Sequence, residues 1–378
     1  MSGPRYPGFT TLALHTAAGA PVAPPAVATL EERIAALEGG VAGIATASGQ
    51  AALHLAVATL ASAGHHVVVA RNLRGDAHAL LAHGLERFGV TTTFVDPRDP
   101  DAWRAAIRPA TRLLAGAALD DACAHVLDIP RVGAIAHEHD LPLLVDATLA
   151  TPWCLASFDH GADLVFHGAG FLAGQACAGG GLLVDGGTFD WAGAHARTGR
   201  FAELCEPDPR ADGRVFAEES TVGAFALCAR HAGLRDFGAT LGAHDAAVML
   251  QGLETLGVRM ARHGAGAHTV AEALAAHPAV AGVAYPALAS HPDHAIAQRL
   301  LPRGCGAVVA FTLRGGHAAA VRFLDALKVF GRAADCGGAR SQATADGAGT
   351  VRLVVGLEDA DDLLDDLARA LKLAQKGA

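Results

Sequence analysis

An apolar stretch runs into a glycine- and alanine-rich loop at residues 165–181, with the sequence VFHGAGFLAGQACAGGG. In α/β proteins the loop that follows a strand is where ligands are usually held. This loop contains no Lys, Arg, Asp, Glu, Ser or Thr. Its place in the pattern predicts a ligand site, but its residue types offer almost no nucleophile, base or anion-binding group.

Four further features each admit a chemical and a structural interpretation. His167 fits a hydrogen-bonded core histidine or a general base, and Arg74 fits a solvated loop charge or a guanidinium that fills a cavity. The glycines of GAGFLAG, 168–174, are spaced as in a dinucleotide-binding loop, but no long helix follows them. His137 and His139 are two residues apart in a helical pattern, which does not place both on one face, so no metal site is predicted.

Short apolar runs bounded by turn residues alternate with helical patterns over the first half of the chain. Such runs predict the strands of a mostly parallel sheet that is covered by helices on both faces. The predicted strands are 66–70, 90–96, 112–116, 141–146, 163–166 and 181–187. A helix is predicted at 29–40 with Thr29 as its N-cap, and another at 131–139. Residues 203–214 fit an exposed loop.

A second, smaller unit is predicted beyond a long helix at 247–263. Its predicted elements are strands at 277–286, 306–313 and 351–358 and an amphipathic closing helix at 361–375. The sequence therefore predicts an α/β fold in three parts. These are an N-terminal arm at 1–28, a large domain at 29–245 and a smaller C-terminal α/β domain at 246–378.

Composition excludes several classes of function. The 378 residues are 51% hydrophobic, enough for a large and a smaller core, and the net charge of −9 argues against a nucleic-acid partner. No apolar run reaches the roughly 18 residues that a membrane span requires, and residues 1–9 lack a signal-peptide pattern. The seven cysteines are scattered without a CxxC pair, which is typical of reduced thiols in the cytoplasm.

A series of ordered motifs covers most of the chain. They include LEERIAALEGG (30–40), ASGQAA (47–52), DIPRVGAIAHEHDLPLLVDATLATPW (128–153), GGLLVDGGTFDW (180–191) and LQGLETLGVRMARH (250–263). Together they resemble the Cys/Met metabolism family of fold-type-I PLP enzymes, nearest its O-acetylhomoserine sulfhydrylase branch. The resemblance implies the PLP-transferase fold of type I, with a large domain on a mostly parallel sheet and a smaller C-terminal α/β domain.

The resemblance also implies that the central catalytic group is missing. In the family, a Lys in the loop after the strand forms the Schiff base with PLP, and Gly170 stands at that position. The Ser and Thr that help to hold the cofactor phosphate correspond to Gly168 and Ala169. The only lysines of the chain are Lys328, Lys372 and Lys376. No covalently held cofactor is therefore expected, and PLP is implied by the resemblance alone.

Other active-site groups of the family are replaced as well. The Tyr that stacks on the PLP ring corresponds to Arg74, and the Glu and Asn-Pro pair correspond to Ala117, Asp121 and Ala122. The Tyr-x-Arg that reaches a neighbouring subunit has no counterpart in the shortened segment 22–32. These departures imply a site with little of the family's chemistry.

Several positions of the family pattern remain. Asp146 matches the Asp that pairs with the pyridine nitrogen, or serves as a structural carboxylate at a strand end. Ser48, Gly49 and Gln50 match a strand-to-helix turn whose amides face phosphate, or form an ordinary N-cap. Arg352 matches the Arg that binds the substrate carboxylate, or belongs to an ion pair with Asp or Glu.

The first functional hypothesis is a degenerate family member without Schiff-base catalysis, with an assembly or regulatory role in the cytoplasm. Because the family's members form tetramers from close dimers, the resemblance implies a homo-oligomer or a mixed oligomer with an active relative. The alternatives are an enzyme with lysine-independent chemistry on a small, amino-acid-like carboxylate, and a sulfhydrylase that works with non-covalent PLP. Neither nucleic acid nor a membrane is expected as a partner.

Overall fold

The computed structural model of the chain describes residues 25–375, apart from 74, 123–124, 176, 221–222 and 334–335. Its larger sheet has seven strands in the order β1–β7–β6–β5–β4–β2–β3. The strands are β1 (Ala42–Thr46), β2 (His66–Ala70), β3 (Thr91–Val95), β4 (Thr111–Ala117), β5 (Leu143–Asp146), β6 (Leu164–Gly168) and β7 (Gly181–Asp185). Six of them, β1 to β6, point in the same direction, whereas β7 is antiparallel to its neighbours β1 and β6. The prediction of a mostly parallel sheet is confirmed.

The smaller sheet has four antiparallel strands in the order β10–β11–β9–β8. Its strands are β8 (Val280–Ala284), β9 (Val308–Leu313), β10 (Gln342–Ala345) and β11 (Thr350–Val354). A bidentate ion pair between Arg98 and Asp293 (Nε–Oδ1 and Nη2–Oδ2, each 2.8 Å) joins residues that precede the helices Pro100–Ala106 and His294–Leu300. The Asp293 carboxylate also accepts from the amide of Val126, so it ties the two halves of the chain together.

Helices cover both sheets. They are α1 (Pro25–Glu38), α2 (Gly49–Leu60), α3 (Gly75–Ala79), α4 (Pro100–Ala106), α5 (Ile129–Glu138), α6 (Thr151–Cys154), α7 (Ala169–Ala173), α8 (Trp191–Thr198), α9 (Ala202–Cys205), α10 (Phe216–Glu219), α11 (Ala224–Cys228), α12 (Arg235–Phe237), α13 (Ala243–Glu254), α14 (Leu256–Ala276), α15 (His294–Leu300), α16 (Gly316–Ala326) and α17 (Ala360–Gln375). None of the helices in the described part of the chain is long and apolar enough to cross a membrane.

Two predicted helices differ from the structure by several residues. The first helix already includes Pro25, so Thr29 lies inside α1 and is not its N-cap. The predicted helix 247–263 is two helices, α13 and α14, that meet at Thr255, whose backbone is not helical (φ −111°, ψ 4°). Gly252 lies so close to the carbonyls of α7 that a Cβ there would overlap them. The packing of α13 on α7 is therefore the tertiary contact associated with the break between α13 and α14, which the apolar periodicity does not indicate.

Two strands and one buried segment were also missed. The sequence AGIAT of β1 has little strand character, yet it pairs with β7, and α1 packs so closely on Gly43 that a side chain there would overlap Glu31. The short β10 was likewise not predicted. The segment 203–214 is not simply an exposed loop, since it contains part of α9 and buries Leu204 and Asp208.

The sheet core contains one histidine that should make stability depend on pH. His66 is 1% exposed, and its ring nitrogens each lie 2.9 Å from a threonine hydroxyl, of Thr111 and Thr93. Burial, with a smaller effect of Arg108, lowers the pKa of His66 to about 4. The unfolded chain takes up this proton near the ordinary value of about 6.5, so it binds more protons than the folded chain between pH 6.5 and 4.

We therefore expect stability to fall as the pH drops through this range, by about 2–3 kcal/mol at pH 4.5 for this group. Urea unfolding at several pH values should show a steeper loss for the wild type than for His66→Gln. Asp185, whose pKa burial raises to about 6, acts in the opposite direction, but it is present in both proteins and cancels in the comparison. Parallel curves for the two proteins would contradict the assignment.

Candidate functional site

The carboxyl ends of three parallel strands and the beginning of α2 form the candidate site. β4, β5 and β6 end at Ala117, Asp146 and Gly168, on the same edge of the sheet. The first residue of α2, Gly49, lies so close to Gly168 that a Cβ on it would be 3.2 Å from the Gly168 Cα. This edge is where open α/β sheets bind ligands, and it brings together Ser48–Gln50, Asp146 and the loop at Gly170.

Ser48 caps α2. Its Oγ accepts a hydrogen bond from the amide of Ala51 at 3.1 Å, and the Thr46 hydroxyl donates to the Ser48 carbonyl at 2.9 Å. Gly181 of β7 packs on this turn, where a Cβ would lie 2.6 Å from the Gly49 nitrogen. The N-cap interpretation is confirmed, whereas anion binding by the amides of Gly49 and Gln50 stays a prediction.

Asp146 sits at the last position of β5. Its Oδ1 accepts from the amide of Thr148 at 2.9 Å, and the Thr148 hydroxyl in turn accepts from the amide of Gly168 at 3.0 Å. Burial raises the pKa of Asp146, and the hydrogen bonds from Thr148 oppose that shift. The carboxylate therefore holds the β5 turn in place, and through Thr148 it also positions the start of α7.

Position 170 has no room for a side chain. Gly170 lies in the short helix α7, and a Cβ built on it would overlap the carbonyl oxygen of Cys336. The next residue of that segment, Gly337, has a left-handed backbone (φ +97°) and lies against the backbone of Phe171. The Cys336–Gly337 segment therefore occupies the space that a longer residue at 170 would enter.

Arg352 is held by the same segment. Its Nη2 donates to the Cys336 sulfur at 2.6 Å, and its Nε donates to the main-chain carbonyl of Asp121 at 2.8 Å. Of the two interpretations of Arg352, an ion pair with Asp or Glu is not seen among the described residues, where the guanidinium contacts Cys336 and Asp121 only through a sulfur and a main-chain carbonyl. Two donor groups of the guanidinium are already engaged on the protein's own atoms, and this arrangement leaves it poorly placed for a bidentate grip on a ligand carboxylate.

His167 belongs to a buried pair. Its Nε2 lies 2.6 Å from Glu38 Oε1, and both side chains are 0% exposed. The other polar atoms of the pair, His167 Nδ1 and Glu38 Oε2, are buried and have no hydrogen-bond partner among the described residues. The interpretation as a core histidine fits this geometry, while a general base without solvent contact does not.

The remaining candidates from the sequence are Arg74, the GAGFLAG segment and the histidine pair. Arg74 lies outside the described residues. The segment GAGFLAG forms only the five-residue helix α7, with Gly174 as its C-cap, which is unlike a dinucleotide loop. His137 binds the carboxylate of Asp163 at 2.8 Å, which raises its pKa. Within the described ranges no three His, Cys, Asp or Glu side chains are grouped to hold a metal ion.

Four residues that sequence reasoning missed shape this site: Thr148, Cys336, Gly337 and the buried Arg259. Arg259 of α14 donates to the carbonyls of Phe171 at 2.7 Å and Leu172 at 3.2 Å, so it fixes the end of α7. The dipeptide of Cys336 and Gly337 lies in a glycine-rich stretch without periodicity, and nothing local marks its contact with position 170. The residues present do not fit a cofactor that is attached through a side chain at 170.

Comparison with known proteins gives consistent results. A family model described as Cys/Met metabolism PLP-dependent enzyme matches residues 22–372. The O-acetyl-L-homoserine sulfhydrylase of Leptospira meyeri is 38% identical to this chain, over 92% of this chain and 84% of its own length. The O-acetyl-L-homoserine sulfhydrylase of Corynebacterium glutamicum is also 38% identical, over 91% of this chain and 83% of its own length. The L-methionine gamma-lyase of Pseudomonas putida is 36% identical over 92% of this chain and 83% of its own.

Solved structures agree in fold. A putative O-acetylhomoserine (thiol)-lyase from Campylobacter jejuni, which carries a pyridoxyl-lysine, superposes with a TM-score of 0.88 at 32% identity over 92% of this chain and 86% of its own. The O-acetylhomoserine sulfhydrylase of Wolinella succinogenes gives 0.80 at 30% identity, over 92% and 96%. The predicted fold class, a PLP-transferase fold of type I, is confirmed.

Proposed function

The chain belongs to the Cys/Met metabolism family of PLP-dependent enzymes, and we propose that it is a member without Schiff-base catalysis at position 170. Its homologues are transsulfuration enzymes, among them O-acetylhomoserine sulfhydrylases. In this proposal the fold is kept for a role in assembly or regulation. The family resemblance concerns the scaffold, and activity must be argued from the site itself.

The contact between Gly170 and Cys336 carries the proposal. A lysine is absent at 170, and the carbonyl of Cys336 lies where even a Cβ would have to be. Of the three lysines, the amide of Lys328 is bound by Asp366 beside α17, Lys372 is in the last turn of α17, and Lys376 lies outside the described residues. No described lysine is therefore placed at the ends of β4, β5 and β6.

The role we propose is association with a second copy, as a dimer or tetramer, or with an active relative. In support, the cores of both sheets and the Arg98–Asp293 link between the two halves of the chain are intact, while Gly168, Ala169 and Gly170 stand where the resemblance implies Ser, Thr and Lys. A reducing, cytoplasmic setting is part of the proposal, because none of the six described cysteines forms a disulfide with another.

Two other candidates have specific support. Sequence identity of 38% to O-acetyl-L-homoserine sulfhydrylases favours a residual sulfhydrylase that holds PLP without a covalent link. The retained Arg352 favours a site for a small, amino-acid-like carboxylate, although its guanidinium is engaged by Cys336 and Asp121. In either case Asp146, Ser48, Gly49 and Gln50 would be the cofactor- or ligand-facing groups.

The test is to mix the purified chain with PLP, remove the free cofactor, and reduce with borohydride before peptide mass spectrometry. We expect no retained visible absorbance, no pyridoxyl adduct beyond the terminal amine and terminal lysines, and no homocysteine from O-acetylhomoserine and sulfide. The reason is that no other amine is available near the site. The Leptospira meyeri enzyme, treated in parallel, is the positive control.

Retained PLP together with homocysteine formation would overturn the proposal and establish the residual sulfhydrylase. Calorimetry with free amino acids on the same preparation separates the other candidate. An amino acid that binds the wild type but not Arg352→Ala would identify a carboxylate site.

A further inference from the structure

A cavity of about 490 Å³ lies away from the candidate site, at the other end of α2. It is bounded by the C-terminal half of α2, the 3₁₀ turn at Leu85–Phe88 and the π-helical turn at Ala229–Leu234. The twelve residues of α2 rise by about 18 Å, so the cavity and the capped end at Ser48 are well separated. Its size falls within the range of small-molecule sites.

Most of the cavity wall is apolar. Leu60 and Leu85 contribute buried side chains, and Phe88 and Phe237 lie at the wall with 68% of their surface exposed. The ring of His54 makes edge contacts with both phenylalanines, at 6.5 Å and 6.2 Å between centroids. Burial lowers the pKa of His54, which favours the neutral ring. The cavity wall is therefore suited to the hydrocarbon part of a ligand.

One carboxylate that lines the cavity has an oxygen without a donor. The Oε1 atom of Glu203 is buried and has no hydrogen-bond partner within the described residues. Burial raises the pKa of Glu203 and the charge of Arg112 opposes that shift, but the Arg112 guanidinium donates its hydrogen bonds to His65 and to main-chain carbonyls. Arg210 also lines the cavity, but its guanidinium is bound bidentately by Asp208 (Nε–Oδ1 3.0 Å, Nη2–Oδ2 2.8 Å).

Among the groups that line the cavity, Glu203 has incomplete hydrogen bonding. The Arg210–Asp208 pair is neutral as a unit, and its guanidinium does not donate to Glu203 Oε1. A buried carboxylate oxygen without a donor is costly, and each such atom in a folded protein calls for a partner. A cationic donor satisfies it better than a neutral one, because hydrogen bonds between charged groups are the stronger kind.

We propose that this cavity binds an apolar primary amine, with the hydrocarbon body against Leu60, Leu85 and Phe237 and the ammonium group on Glu203 Oε1. The site is independent of the function proposed above, since none of its residues belongs to the Gly170 region. Amine binding tests the cavity proposal, and PLP retention tests the proposed function, so the two can fail separately.

The test is calorimetric titration of the full chain at pH 7.5 with n-octylamine, n-octanol and octanoate. We expect the amine to bind with 1:1 stoichiometry and at least about tenfold more tightly than the other two, because only it pairs with the carboxylate. Glu203→Gln should weaken amine binding by about tenfold or more. Glu206→Gln, an exposed change three residues away, is the matched control and should leave it unchanged.

A second variant protects the test against a folding artefact. Ala58→Phe, from α2, projects a ring into the cavity and should abolish binding of all three ligands while the circular dichroism spectrum is kept. Equal affinity for octylamine, octanol and octanoate, or an unchanged affinity in Glu203→Gln, would overturn the proposal.

The amine-site proposal would also be overturned if the cavity has one of two other occupants. If the amine binds only after residues 1–24 are removed, the chain's own N-terminal segment is the occupant. If Phe88→Ser with Phe237→Ser converts an oligomer to a monomer in sedimentation and the amine binds only to that monomer, the occupant is a second copy.

Discussion

Gly170→Ala is expected to destabilise the fold by about 1–3 kcal/mol, the usual cost of forcing an extra group into a packed site. The added Cβ would overlap the Cys336 carbonyl oxygen, and this partner is backbone, so it cannot rotate away as a flexible side chain could. Relief requires movement of the Cys336–Gly337 segment, which is also held through the contact between Cys336 and Arg352. The free energy of unfolding in urea is the measurement.

The matched control is Gly264→Ala in α14, a helical glycine with open space around it. Because alanine is the better helix former, that change is expected to stabilise by up to about 1 kcal/mol. The two substitutions are chemically identical, so opposite signs isolate the steric effect. Gly170→Lys should be at least as destabilising as Gly170→Ala and should still retain no PLP. A Gly170→Lys protein of wild-type stability that holds PLP would show that the segment moves aside readily, contrary to this account.

Arg259→Met is expected to cost about 3–5 kcal/mol, the largest effect of any substitution discussed for this chain. The guanidinium is buried and donates to the carbonyls of Phe171, Leu172 and Gly252 and to the Thr255 hydroxyl, at 2.7–3.2 Å. The carbonyls of Phe171 and Leu172 lie at the end of α7, where carbonyls lack helical donors and carry partial negative charge, whereas the Gly252 carbonyl also accepts from Thr255. Removing the guanidinium leaves the two α7 carbonyls without this donor at once.

Arg262→Met is the control for this change, because it is on the same helix one turn later. Arg262 also donates to main-chain carbonyls, of Leu357 and Glu358, but it is exposed. Water can replace its hydrogen bonds, so the expected loss is below about 1 kcal/mol. Similar losses for both variants in urea unfolding would refute the role assigned to Arg259 in holding α7.

The sheet architecture follows from local pattern, with defined exceptions. The central strands alternate with helices as apolar runs that are buried on both faces, and such runs are visible in sequence. The strand β1 was missed because AGIAT has no such character and its pairing with β7 is a long-range contact. The break at Thr255 was missed because apolar spacing continues through it, while the close approach of Gly252 to α7 is invisible in one dimension.

The sequence by itself determined which chemistry is absent at the candidate site. No folding can place a lysine between residues 165 and 181 when none is there, and the family-like motifs on either side fix where that lysine would stand. Ser48 as an N-cap was equally predictable, because capping depends on residues three positions apart.

Only the tertiary structure decided which groups fill the space around position 170. Arg352 meets the carbonyl of Asp121 across 231 positions of sequence, and Cys336 meets Gly170 across a similarly large separation. The unpaired oxygen of Glu203 depends on where Arg112 and Arg210 find their partners. Contacts of this kind join loops that lack periodicity, so no local pattern encodes them. They follow from how the two sheets and their helices pack, which is why they appear only in the folded chain.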